Sequence, residues 1–270
     1  MQKDEQFPIS FISRDKFSVV LRIFIASTYN NLYFKACMIV CPVCAHNNDD
    51  FAIKCSSCGS YVQDRVPTLD FFAMVWMLIE TPKAAFKKII LAEHKNYVLF
   101  LGMFLGIASS FALIWTKKSG DNFDNLLPVL LFGSFLGLVI CIPMFYSLTV
   151  VVYGLLKGIG GKGNFRETYG VIGWSLAPIM FSVIFILPLE LATLGLLIFS
   201  TNPSAYEVKP IVTSVLLGFD GLLVGWSVVL GGLGIAMAHR INIVSSMLII
   251  IVASSVVGYI SYLLYSSINI

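Results

Sequence analysis

Four cysteines fall within 18 residues as two Cys-x-x-Cys pairs, Cys41 with Cys44 and Cys55 with Cys58. The two-residue gap points both sulfurs of a pair the same way, and two such turns can converge on one tetrahedral site. Gly59 follows the second pair, where a positive φ brings backbone N–H groups toward sulfur, and Ala45 holds the matching place in the first. Between the pairs, polar His46 to Asp50 and then Phe51 and Ile53 supply a loop and a short strand, too little core to fold without metal. The spacing predicts a zinc ribbon in which Cys41, Cys44, Cys55 and Cys58 hold a structural Zn²⁺. Two disulfides or an iron–sulfur centre are the alternatives; no export signal favours the first, and nothing else in the chain suggests electron transfer. His46 reads as a solvated loop histidine and Cys37 as a spare.

Glu190 and Asp220 are the second chemical feature, because each interrupts an apolar run where a carboxylate is costly unless neutralised or paired. Glu190 lies ten residues before Ser200 and Asp220 ten residues after Pro210. Consecutive antiparallel helices would set both at one depth, about 15 Å from the helix ends. No lysine or arginine occurs at that depth, and two neighbouring carboxylates without a cation do not both ionise. The pair is expected to share a proton or to hold a cation or water. The alternative is that each acid separately caps a helix broken at Pro188 or Gly221, or faces water near the interface.

The elements that must position these groups are membrane helices. Apolar residues make up 57% of 270 positions and charged residues 12%, with mean hydropathy +0.86, a composition foreign to a soluble domain. Five apolar stretches, 97–115, 128–156, 171–199, 211–238 and 243–266, are each long enough to cross a hydrocarbon layer about 30 Å thick. The fold class expected is an all-α membrane protein with about five transmembrane helices, preceded by amphipathic helices and the small ribbon. Residues 1–37 form an uncertain extension in which 11–25 could make a short amphipathic helix, and translation starting at Met38 is one reading of it. The ribbon takes 38–63. Residues 68–96 mix aromatics with Lys83, Lys87, Lys88 and Lys95, divided by Pro82, as suits helices on the membrane surface or packed on the bundle. Residues 97–270 are the five-span domain.

Lys157, Lys162, Arg166 and Arg240 fall in loops on the same side as the N-terminal lysines, which places the N-terminus and ribbon in the cytosol and the C-terminus outside. A net charge of +3 is too small to suggest a nucleic-acid partner. The glycine-rich stretch from Gly158 to Gly163 fails as a phosphate loop, since Leu156 stands where the leading glycine belongs and Gly163 where Ser or Thr should hold magnesium, and it reads as a flexible connection. No enzyme is expected: His94 and His239 stand alone, and neither Ser175 nor Ser227 has an intramembrane histidine to activate it.

Residues 70 to 270 resemble the Yip-domain family, the Ypt/Rab-interacting multi-span membrane proteins and their prokaryotic relatives. The resemblance is carried by Glu80-Thr81-Pro82-Lys83-Ala84-Ala85-Phe86, by the Gly-Lys-Gly-Asn-Phe-Arg-Glu-Thr loop beginning at Gly161, and by the element from Gly173 and Trp174 to Pro178. Gly161, Phe165, Gly173, Trp174 and Pro178 are its motif residues, with Trp174 where the family usually has tyrosine. The resemblance implies five spans and a cytosolic N-terminus, and the fused ribbon is similar to the prokaryotic branch, hence the inner or plasma membrane of a prokaryotic cell. The Asp-Leu-Tyr-Gly-Pro motif of the eukaryotic members is absent, so their Rab partner is not carried over. The function expected is that of a non-catalytic scaffold or adaptor contacting the lipid bilayer and, through the ribbon, other membrane or cytosolic proteins. The alternative is a small-solute or ion transporter or channel using Glu190 and Asp220.

Overall fold

The computed structural model describes residues 38–64 and 66–267, all within one compact unit. The expected helix over 11–25, the reading of Met38 as a start and Cys37 depend on residues outside that range. The chain begins with a two-stranded antiparallel ribbon, β1 (Ile39–Val40) and β2 (Asn47–Asn48), in which Ile39 pairs with Asn48 and Val40 with Asn47.

Two short helices follow. In α1 (Phe71–Glu80) the Asp70 carboxylate accepts the Ala73 N–H at 2.8 Å, the side-chain cap a first turn requires. Pro82 starts α2 (Pro82–Leu91), where its missing N–H costs nothing. Their environments differ. α1 buries Met74, Val75 and Leu78 but leaves Phe72, Trp76 and Ile79 exposed, whereas α2 drives Ala85, Phe86 and Ile89 into the core with no residual exposure. The aromatic stripe of α1 suits a lipid surface, and α2 is a packing element of the bundle.

Among the described residues, five helical segments are long and apolar enough to cross a membrane. They are α3 (Val98–Lys117), α4 (Leu126–Gly158), a compound third span over 165–199, α9 (Pro210–His239) and α10 (Ile243–Ser267). The third span begins six residues earlier than the hydropathy stretch and is interrupted. It comprises α5 (Phe165–Ser175), α6 (Ala177–Phe181), a π-helical turn (Ser182–Ile186), α7 (Leu187–Leu194) and a 3-10 turn (Gly195–Phe199). Pro178 and Pro188 both fall at the starts of helical pieces, where proline is tolerated. Gly221 breaks nothing, because α9 runs through it; a short α8 (Ala205–Val208) precedes that helix.

Glycines let the helices approach. Between α3 and α4, a Cβ on Gly106 would lie 2.3 Å from the Gly137 carbonyl oxygen, and one on Gly137 would lie 2.6 Å from the Ile107 Cα. Helices in lipid associate through such van der Waals contact and not through the hydrophobic effect. At one end of the bundle, Lys118 Nζ donates to the Ile198 carbonyl at 3.2 Å, Asp121 accepts the Thr201 N–H at 3.1 Å, and Tyr265 donates to Ser119 Oγ at 2.9 Å. The ribbon and the glycine-rich loop lie at the other.

Candidate functional site

The ribbon brings its four sulfurs together. Cys41 Sγ and Cys58 Sγ stand 3.6 Å apart, Cys44 Sγ and Cys55 Sγ 3.5 Å, and all four lie within 4.8 Å of one another. Tetrahedral thiolates around zinc, each about 2.3 Å from the ion, stand about 3.8 Å apart, so the set is consistent with a metal site. Val43 N–H donates to Cys41 Sγ and Ser57 N–H to Cys55 Sγ, both at 3.4 Å, and Ser60 Oγ lies 3.1 Å from Cys41 Sγ and 3.0 Å from Cys58 Sγ. Gly59 has φ +74°, and Ala45, with φ +55°, adopts the same left-handed conformation at the cost of its Cβ. Buried Asn48, which the sequence did not single out, donates from Nδ2 to Cys55 Sγ at 3.4 Å and accepts the Ser56 N–H at 2.9 Å, tying β2 to the second cysteine turn.

The ribbon is fastened to the membrane domain. Asp49 pairs with Arg240, at the end of α9, whose guanidinium also sits 5.8 Å from the Phe51 ring centroid. Asp50 pairs with Lys87 of α2 at 3.0 Å, and Gln63 Nε2 donates to the Asp50 and Ala52 carbonyls. The Arg240 hydrogen bond holds the Asp49 carboxyl below its ordinary range. The linker adds backbone bonds from the Glu93 N–H to the Val66 carbonyl at 2.8 Å and from the His94 N–H to the Pro67 carbonyl at 3.2 Å.

Beside this attachment, the glycine-rich loop wraps the end of α9. The Lys162 N–H donates to the His239 carbonyl at 3.1 Å, and fully buried His239 meets Thr168 Oγ1 through Nε2 at 2.7 Å. A Cβ on Gly161 would lie 2.7 Å from His239 Nδ1, and one on Gly163 would lie 2.8 Å from the Ala238 carbonyl oxygen. Asn164 and Glu167 then form a reciprocal capping box that starts α5. The loop is therefore a fitted collar and not the slack connection expected of it. Phe165 packs against Tyr146 and Tyr153 at 5.8 and 5.5 Å between centroids. Gly173 touches α3, since a Cβ there would meet Val98 Cγ1 at 2.4 Å. Trp174 is wholly buried beside Phe71 and Tyr97, and its Nε1 finds no hydrogen-bond partner among the described residues. The backbone break at Leu176 precedes Pro178, at the start of α6.

Glu190 and Asp220, separate in sequence, line one cavity of about 480 Å³ within the bundle. Each carboxyl lies within reach of the other, and Ser182, on the π-helical turn, donates to Asp220 Oδ1 at 2.6 Å. Ser175 and Ser227 line the same cavity, and among the described residues no lysine, arginine or histidine does. Most of the remaining wall is aliphatic or aromatic, including Leu105, Ile179, Leu187 and Phe199.

A family model described as the Yip1 domain matches residues 76–265. Neither the curated proteins nor the solved structures include a match to the chain. The matched stretch contains the first four spans, all but the last two residues of the fifth, the glycine collar, Gly173, Trp174, Pro178 and the acid-lined cavity, and leaves the cysteine ribbon ahead of it. The chain belongs to the Yip1-domain family of membrane proteins.

Proposed function

We propose that this protein is a non-catalytic membrane scaffold or adaptor whose ribbon, held by structural zinc on Cys41, Cys44, Cys55 and Cys58, is its cytosolic working part. The observation that carries this reading is the ribbon's attachment to the membrane domain through Asp49 with Arg240 and Asp50 with Lys87. A shell of four thiolates leaves the metal no open position for a substrate, so the ion supplies folding and not chemistry. Lys162 acts on Asp49 of the ribbon and Arg166 donates to the Glu93 carbonyl at the same end, and the positive charge of that end argues for the cytosolic side, with the opposite end and C-terminus outside the cell membrane of a prokaryote. Val40 and Val43 remain exposed on the ribbon and offer apolar contact to a protein partner, while α1 meets lipid with Phe72 and Trp76. The small net charge gives no grounds for a nucleic-acid partner.

Photo-crosslinking from Val43 in native membranes tests the reading, with Cys41→Ser, Cys58→Ser as the control. Discrete crosslinked proteins that disappear in the control, while the five-span domain stays membrane-inserted, are the expected result. Crosslinks to lipid alone would overturn it. The second reading, a small-solute or ion transporter or channel using Glu190 and Asp220, is favoured by the cavity they share, although its mostly apolar wall suits holding a ligand better than passing a hydrated ion.

A further inference from the structure

The cavity contains polar atoms that the described residues leave unsatisfied. Glu190 is 3% exposed and its Oε1 has no hydrogen-bond partner. Ser227, 7% exposed, stands two turns along α9 from Asp220, lines the same cavity, and its Oγ likewise lacks a partner. Buried oxygens are ordinarily paired, and a carboxyl among apolar walls demands a donor more than most. A proton shared between Glu190 and Asp220 would still leave one negative charge on the pair and no donor for Glu190 Oε1, and among the described residues no cationic side chain lines the cavity.

The missing partner can be described from its surroundings. It must bring positive charge and N–H donors to Glu190 and Asp220, with Ser227 Oγ free to accept or donate. The rest of it must be apolar, because outside the two carboxyls and a few serine hydroxyls the wall is built of side chains such as Leu105, Ile179, Leu187 and Phe199, which offer no hydrogen bond to a polar body. The volume of about 480 Å³ falls in the range of small-molecule pockets, about 300–1,000 Å³. The π-helical turn bearing Ser182 is a feature often found at binding sites, and here its hydroxyl fixes the orientation of Asp220. We propose that this cavity binds a hydrophobic amine: a compact apolar body carrying one primary or secondary ammonium, which sits between Glu190 and Asp220 and reaches Ser227. The site does not depend on the adaptor reading, since it lies within the bundle and uses no ribbon residue.

The test is equilibrium binding of 1-adamantylamine and its neutral isostere 1-adamantanol to the full chain in lipid nanodiscs, with empty nanodiscs as the measure of partition into lipid. Saturable binding of one amine per chain is expected, tighter than the alcohol by at least about tenfold, the factor of one charge-assisted hydrogen bond. Glu190→Gln and Asp220→Asn should each bring the ratio toward one, and Ser227→Ala should weaken the amine several-fold. Should either acid variant fail to fold, Ser227→Ala and the amine-to-alcohol ratio of the native chain still decide. Equal affinities, or uptake no greater than that of empty nanodiscs, would overturn the proposal. So would protection by sodium or calcium ions alone with the same dependence on Glu190, which would assign the pair to an inorganic cation.

Discussion

Replacing Gly173 with alanine sets two opposed effects against each other. In a free helix the change stabilises by about 0.5–1 kcal/mol, since glycine loses more backbone freedom on ordering. Here the new Cβ would lie 2.4 Å from Val98 Cγ1 and 3.0 Å from both Cβ and Cγ2. Val98 is β-branched, 1% exposed, and at the first turn of α3, so it has no open rotamer to escape into. Overpacking of this kind costs about 1–3 kcal/mol, which leaves a net loss between about zero and 2.5 kcal/mol, and the 2.4 Å approach to a side chain that cannot move aside places it in the upper half of that range. Val98→Ala alone should cost about 1–3 kcal/mol by opening a void, and the double variant should be more stable than the sum of the two losses, by about 1 kcal/mol or more. Gly154→Ala in α4 is the matched control, because a Cβ there meets nothing within 4 Å, and should raise stability slightly. Thermal unfolding of the detergent-solubilised protein reads all four. A Gly173→Ala chain at least as stable as the parent, or strict additivity with Val98→Ala, would refute the close approach of α5 and α3.

Purified protein should hold one zinc per chain by elemental analysis and lose it on Cys41→Ser with Cys58→Ser; absence of both metal and free thiols would favour disulfides and an inverted orientation. For sidedness, a cysteine at exposed Lys162 should be shielded from an impermeant thiol reagent in sealed cells while one at exposed Asn202 reacts, and the reverse pattern would invert the topology. Lys95, outside the spans, donates to the Ile90 and Ala92 carbonyls, and burial, aided by Arg166, pushes its ammonium down to about 8 from 10.5. Between those values the unfolded chain binds more protons than the native one, so stability should rise with pH across that window. Lys95→Met should flatten that rise, and an unchanged slope would count against it.

What the sequence disclosed was local or periodic. The cysteine turns were legible because each is a four-residue pattern, and the spans because about 20 apolar residues leave few other fates. The capping box of Asn164 and Glu167 is likewise a short-range signature. The collar was misread because its glycines answer to His239, far along the chain, and only the folded structure shows what a Cβ would strike. The π-helical turn was equally hidden: Pro188 hinted at a break, but the turn's position goes with the reach of Ser182 across to Asp220. Depth counting placed Glu190 and Asp220 at one level, yet helix rotation decided whether they faced each other, and weak amphipathicity in a span leaves rotation unmarked. Nothing near Asp49 or Asp50 in sequence named Arg240 and Lys87 as partners.

The central claim, a metal-held ribbon seated on the Yip1-domain bundle, is tested most directly by hydrogen exchange on the full chain in nanodiscs with and without a zinc chelator. The amides of Cys41 and Cys55, bonded to the His46 and Ser60 carbonyls, and that of Glu93, bonded to the linker, should be protected in the native protein. Chelation should abolish protection at Cys41 and Cys55 and weaken it at Glu93, while α3 and α4 are unaffected. Unchanged exchange across residues 38–63 after metal removal would contradict it.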